Sequence, residues 1–240
     1  MVHAYHCTAW DNPIGLLPMD TSRSWLSRHI TLHDGFDASA EKENSVTHLA
    51  GTLCALLFLI IVLVRWNTFA SPLLAIGMLV QGATLILLYF SSTLYHHLPP
   101  SDAKRLFRLL DHANIYLLIA GTYTPILLYI GSPTALFLLV SVWLVALAGI
   151  LFSLLFWGRL KPLHIVFYLA MGWMIIFFWD AVTPHLSRSL IGYIIAGGLT
   201  YSIGVLFYAL KRVPHNHMIW HLFCVAASAI FCIGFLRHLH

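Results

Sequence analysis

Two pairs of residues spaced four apart have the types that chemistry needs: Ser92 with His96, and His217 with His221. On a helix a four-residue step returns a side chain to the same face, one turn along. Two imidazoles on one turn, joined by His96 from another helix, supply three ligands of a tetrahedral zinc site. A site with three protein ligands keeps its fourth position for water, which is the catalytic rather than the structural arrangement. Asp111 and Ser92 are then the groups to orient or deprotonate that water, whose pKa bound zinc lowers to about 7. Taken alone, His217 and His221 read equally as metal ligands or as a packed structural pair. The addition of His96, Ser92 and Asp111 is what selects metal. Ligand type by itself does not separate zinc from another borderline metal.

The remaining histidines carry weaker claims. His164 is the strongest rival ligand but has no partner at i+4. His97 points about 100° away from His96 and faces a loop. His215 precedes the last helix and reads as solvated, while His185 and His238 read as polar residues at headgroup level.

The elements that position these residues are membrane-spanning helices. Of 240 residues, 60% are hydrophobic and 9% charged, against about 25% charged in an ordinary globular domain, and the mean hydropathy is +0.83. No soluble fold of this size hides so much apolar surface. A hydrocarbon core roughly 30 Å thick needs about 20 apolar residues per helical crossing. That ruler finds seven spans: His48 to Val64, Pro72 to Tyr95, Asn114 to Ile130, Thr134 to Phe156, Leu163 to Trp179, Leu190 to Leu210 and Met218 to Leu236. Short breaks rich in Gly, Pro and charge separate them, so neighbouring helices pack antiparallel. The expected fold is all-α, a seven-helix membrane bundle over residues 41–240. Residues 1–40 are expected to form a poorly ordered tail with a short surface helix around Ser22 to Ile30. Cys7, Cys54, Cys224 and Cys232 make no CxxC pair and imply no disulfide framework. The stripe Gly192, Ala196, Thr200, Gly204 suits close helix packing, and Trp66, Tyr95, Trp157 and Trp179 suit interfacial anchoring.

Lys and Arg set the orientation. Arg23, Arg28, Lys42, Lys104, Arg105, Arg108, Arg159, Lys161, Lys211 and Arg212 fall on one side, and Arg65, Arg188 and Arg237 on the other. The expected topology has the amino terminus cytoplasmic and the carboxyl terminus outside, opposite to a G-protein-coupled receptor. This bias accounts for the net charge of +4 and gives no reason to invoke nucleic acid. Followed through the bundle, Glu41, Asn44, His48, Ser92, His96, Asp111, His112, His164, His217 and His221 all lie near the cytoplasmic ends of their helices. Ionisable residues in a membrane are functional suspects by default, and these share one depth. Asp180, near the other end, reads as an interface cap.

Four motifs in order, Glu41-x-x-Asn44-x-x-x-His48, Ser92-x-x-x-His96, Leu110-Asp111-His112-Ala113-Asn114-Ile115-Tyr116 running on to Ala120-Gly121-Thr122-Tyr123-Thr124-Pro125, and His217-x-x-x-His221, together resemble the hemolysin III family, the bacterial branch of the progestin and adipoQ receptor family. The resemblance runs from about residue 41 to the carboxyl terminus. It implies a zinc ion held by His96, His217 and His221, with Ser92 and Asp111 nearby, and the same inside amino terminus. It also implies residence in a bacterial inner membrane and three classes of function: a zinc-dependent hydrolase of a lipid amide such as ceramide, a membrane-lipid homeostasis factor, or a pore-forming hemolysin. The chemistry of the site points to the first, with membrane lipids as partners; seven spans and no signal peptide suit a membrane resident better than a secreted cytolysin. A purely structural zinc fits the same residues.

Overall fold

The computed structural model describes residues 24–32, 37–157 and 161–240. These residues hold a short helix α1 (Trp25–His29) and the long helices α2 (Ala38–Val64), α3 (Pro72–His97), α4 (Asp102–Ile130) and α5 (Pro133–Leu155). Then come α6 (Lys161–Gly172), the short α7 (Trp179–Val182), α8 (Arg188–Ala209) and α9 (Asn216–His238). Among the described residues, seven segments are long and apolar enough to cross a membrane, in line with the hydropathy of the sequence. The protein is an all-helical, multi-pass membrane protein.

Serines set the starts of four of the long helices. Ser71, Ser101, Ser132 and Ser187 each accept the backbone N–H three residues on, at 3.1, 3.2, 3.2 and 3.2 Å, and proline follows Ser71 and Ser132. A serine hydroxyl satisfies one of the four orphan donors of a helix start, and proline at the first position forfeits a donor that had no partner. Gly131 ends α4 in the left-handed region (φ +63°), where a side chain is disfavoured. Helix α3 packs between α2 and α4, α4 continues to α5, and α9 returns to lie against α2 and α8. The buried apolar core is therefore centred on α3 and α4.

The structure corrects four expectations. Lys104, Arg105 and Arg108 are not loop residues: they stand in the first two turns of α4, and Lys104 and Arg108 are buried. Tyr95 is no interfacial anchor, being buried beside His96. On α8 the close-packing glycines are Gly197, against Phe231, and Gly204, against Phe223 and Trp220. Gly192 has open space around it, and Ala196 is exposed. The fifth span, read as one helix from Leu163 to Trp179, instead ends as α-helix at Gly172 and continues as a 3-10 turn over Met174–Phe178.

That break is held from across the bundle. The Tyr123 hydroxyl donates to the carbonyls of Gly172 (2.8 Å) and Met171 (3.2 Å) and accepts from Ile175 N–H (3.0 Å). Irregular backbone at membrane depth survives only where protein or a cavity satisfies it.

The surface helix expected around Ser22 to Ile30 is present as α1. Beyond it, the chain is tied to α4: Ile30 is buried, Arg105 Nε donates to its carbonyl at 3.2 Å, and Arg108 donates to the carbonyl of Thr31. Cys7 and the rest of the tail before residue 24 lie outside the described residues.

Candidate metal centre

His96 closes α3, and His217 and His221 occupy the first two turns of α9, so the three imidazoles meet at one end of the bundle. One ligand nitrogen from each lies within 4.8 Å of the others. Zn–N bonds of 2.0–2.1 Å in a tetrahedron separate the nitrogens by about 3.3 Å. Small ring rotations therefore close the set around an ion. The rings are already arranged face to edge, with centroids 5.2 Å apart for His96 with His217, 5.2 Å for His96 with His221, and 4.5 Å for His217 with His221.

Partners on α2 fix the tautomer of His221. The Thr47 hydroxyl gives its proton to the Asn44 carbonyl (2.8 Å), which leaves its oxygen as an acceptor. His221 Nδ1 sits 3.2 Å from that oxygen and 3.3 Å from the same carbonyl. Two acceptors around Nδ1 place the proton there and leave the Nε2 lone pair for a metal.

Buried atoms without hydrogen-bond partners give the fit test. Both nitrogens of His96, the Ser92 hydroxyl and both nitrogens of His48 are enclosed and without a hydrogen-bond partner among the described residues. Each such group costs about 1–3 kcal/mol when left unsatisfied, and a site that binds a cation and water would satisfy them. The residues present fit a zinc ion.

Asp111 and Ser92 take different places. Asp111, one-eighth exposed, lines a cavity of about 260 Å³ together with His217 and His221. Ser92 is fully buried on α3, one turn before His96. The cavity extends along α4 from Asp111 to Ile126, a run of about 22 Å at 1.5 Å per residue. Away from the histidines it is walled by apolar side chains such as Ile119, Trp173, Ile194 and Phe231.

Of the other residues at this depth, His164 is not part of the nitrogen cluster. Its Nδ1 lies 3.2 Å from the Ser153 hydroxyl and 3.4 Å from that of Tyr116. His112 Nδ1 donates to the Arg108 carbonyl at 2.9 Å, a bond inside its own helix. His97 is exposed, and His215 pairs with Glu43 on the surface at 2.6 Å. Sequence reasoning placed His48 at the right depth without a role. The structure stacks its ring on His221, centroids 3.5 Å apart and planes 17° apart, where it walls the site and holds the ligand ring.

The haemolysin-III-related family model matches residues 36–232, which include every residue of this site. The chain belongs to that family. Hemolysin-3 of Bacillus cereus is 36% identical over 198 residues, covering 81% of this chain and 90% of that protein. The hemolysin-3 homolog of Bacillus subtilis (strain 168) is 37% identical over 203 residues, covering 83% and 95%. The human monocyte to macrophage differentiation factor is 29% identical over 170 residues, covering 67% and 69%. Relatives of this more distant kind link the haemolysin-III chain to the progestin and adipoQ receptor family, as its motifs imply.

Proposed function

We propose that this haemolysin-III-family protein is a membrane-resident, zinc-dependent hydrolase directed at a lipid, with lipid homeostasis as its physiological setting. One observation carries the reading: a three-imidazole cluster that fits zinc has two of its rings, His217 and His221, lining a long apolar cavity whose wall also holds a carboxylate. The apolar run beside α4 suits an acyl chain, and it delivers the chain's polar end to His217, His221 and Asp111. When bound, zinc supplies Lewis acidity at a water and at the scissile carbonyl. Asp111 accepts the proton of the attacking water and returns it to the leaving group. Ser92, fully buried one turn before His96 and outside the cavity lining, orients the water rather than touching the substrate. Helices α6 and α8, which complete the cavity wall, keep bulk water away from the reaction. Following the Lys and Arg distribution, the cluster faces the cytoplasm of a bacterial inner membrane.

A second reading, zinc as a strut, draws on the origin of the ligands: His96 comes from α3 and the other two from α9, so an ion would pin two helices. Metal analysis of the detergent-purified protein by plasma mass spectrometry is the first test, with the His217→Ala/His221→Ala double variant alongside. The expected result is about one zinc per chain, absent in the variant, as a single three-ligand site demands. Metal-free, well-folded wild type would remove the zinc reading. Hydrolysis of ceramide-type amides by wild type, lost on zinc removal, supports the enzyme; zinc retention with no hydrolysis and lower stability on its removal supports the strut. Ion flux through protein-loaded liposomes would instead favour a pore.

A further inference from the structure

We infer that Glu41, braced by Lys104, is a positioning residue for the metal ligand His96, so that the first span belongs to the metal centre. The inference rests on the zinc reading above. Glu41 lies in the first turn of α2, and its Oε2 is 3.4 Å from His96 Nδ1 and 2.5 Å from Lys104 Nζ. Lys104 Nζ also donates to the Tyr95 carbonyl at 2.7 Å and sits 4.9 Å from the centre of the Tyr95 ring. That ring in turn leans on the His96 ring, centroids 4.5 Å apart. The imidazole is thus held by a carboxylate at one edge and an aromatic ring beside it.

The chemistry follows from which nitrogen carries the proton. A carboxylate facing Nδ1 draws the proton to that nitrogen, leaving the Nε2 lone pair available. Neither buried nitrogen of His96 meets full hydrogen-bond geometry; Nδ1 has the Glu41 carboxylate 3.4 Å away, a contact that a small ring rotation closes, and Nε2 is then the nitrogen left for a metal. The carboxylate also makes the ring a stronger donor to a metal, and outer partners of this kind are worth about 10- to 100-fold in metal affinity. The Glu41 carboxylate is only one-fifth exposed, and a partly buried charge is favoured by a counter-charge, which Lys104 provides from the start of α4. His221 is oriented by a neutral carbonyl and hydroxyl instead, whereas His96 has a charged outer partner. Glu43, two residues further along α2, turns away to the surface and pairs with exposed His215.

Zinc affinity, measured by competition with a chelator, tests the assignment in wild type, Glu41→Gln and the control Glu43→Gln, with the melting temperature of each metal-free protein taken alongside. Glu41→Gln keeps shape and hydrogen-bonding capacity but loses the charge. The expected result is zinc binding weakened about 10- to 100-fold in Glu41→Gln, in a metal-free protein that still folds but melts lower because buried Lys104 loses its counter-charge, and wild-type affinity in Glu43→Gln. Wild-type affinity in Glu41→Gln overturns the inference and leaves the zinc site standing. Glu41→Gln that fails to fold without metal makes Glu41 a structural ion-pair partner, which also overturns it. Wild type that binds no zinc removes the underlying reading and this one with it.

Discussion

In α3 and α4, 56% and 61% of the apolar span is buried inside the protein, whereas in the fifth and sixth spans the buried share is 17% each. The first pair carries His96 and Asp111, and packs so closely that a Cβ on Gly121 would overlap the Thr84 side chain. The second pair carries a broken helix at Gly172 and an open face at Gly192, and together they wall the cavity. A ligand set must be held to fractions of an ångström, which takes rigid neighbours. A hydrophobic substrate of the proposed kind would enter from the bilayer, past helices whose outer faces meet lipid, although α8 itself packs closely on α9 at Gly197 and Gly204. The division of labour between a buried scaffold and a lipid-facing wall follows from those two demands.

The largest expected effect lies on the chemical side of this contrast. Asp111→Asn should lower lipid hydrolysis by about 10²- to 10⁴-fold, the usual range for loss of a general base, while zinc content stays at the wild-type level. Loss of zinc and of folding together would instead make Asp111 part of the scaffold. Next in size, Gly121→Ala should destabilise the protein by about 1–3 kcal/mol, because the α3–α4 contact has no room for a methyl group; thermal melting in detergent reads this directly. Tyr123→Phe comes third: it removes the hydroxyl that holds the Gly172 break, at about 1–2 kcal/mol, and protease cleavage near residues 172–175 should rise while zinc affinity holds. The smallest effect belongs to Gly192→Ala, expected to be stabilising by about 0.4–1 kcal/mol since the new methyl meets open space. A Gly192→Ala loss as large as that of Gly121→Ala would erase the distinction between scaffold and wall.

Much of the site is legible in the sequence itself. The pairs Ser92/His96 and His217/His221 are visible because helical periodicity is local, and a four-residue step needs no knowledge of the rest of the chain. Gly192 and Ala196 show the limit of the same logic: small residues at a four-residue step mark a face, but only the neighbour decides whether that face is covered. Lys104 shows another limit, since a cation between two spans reads as a loop charge until the helix that buries it is known.

By itself the sequence determined the class of the protein, its seven spans and the three histidines that converge, because hydrophobicity sets what must leave water and short-range spacing sets what shares a face. Tertiary structure alone decided what surrounds those histidines. Glu41 reaches Lys104 across 63 residues and His221 reaches Asn44 across 177, His48 stacks on a ring from the last helix, and the cavity exists only where α4, α6, α8 and α9 fail to fill the space between them. Such contacts depend on how helices are laid side by side, and no local pattern in the chain encodes that choice.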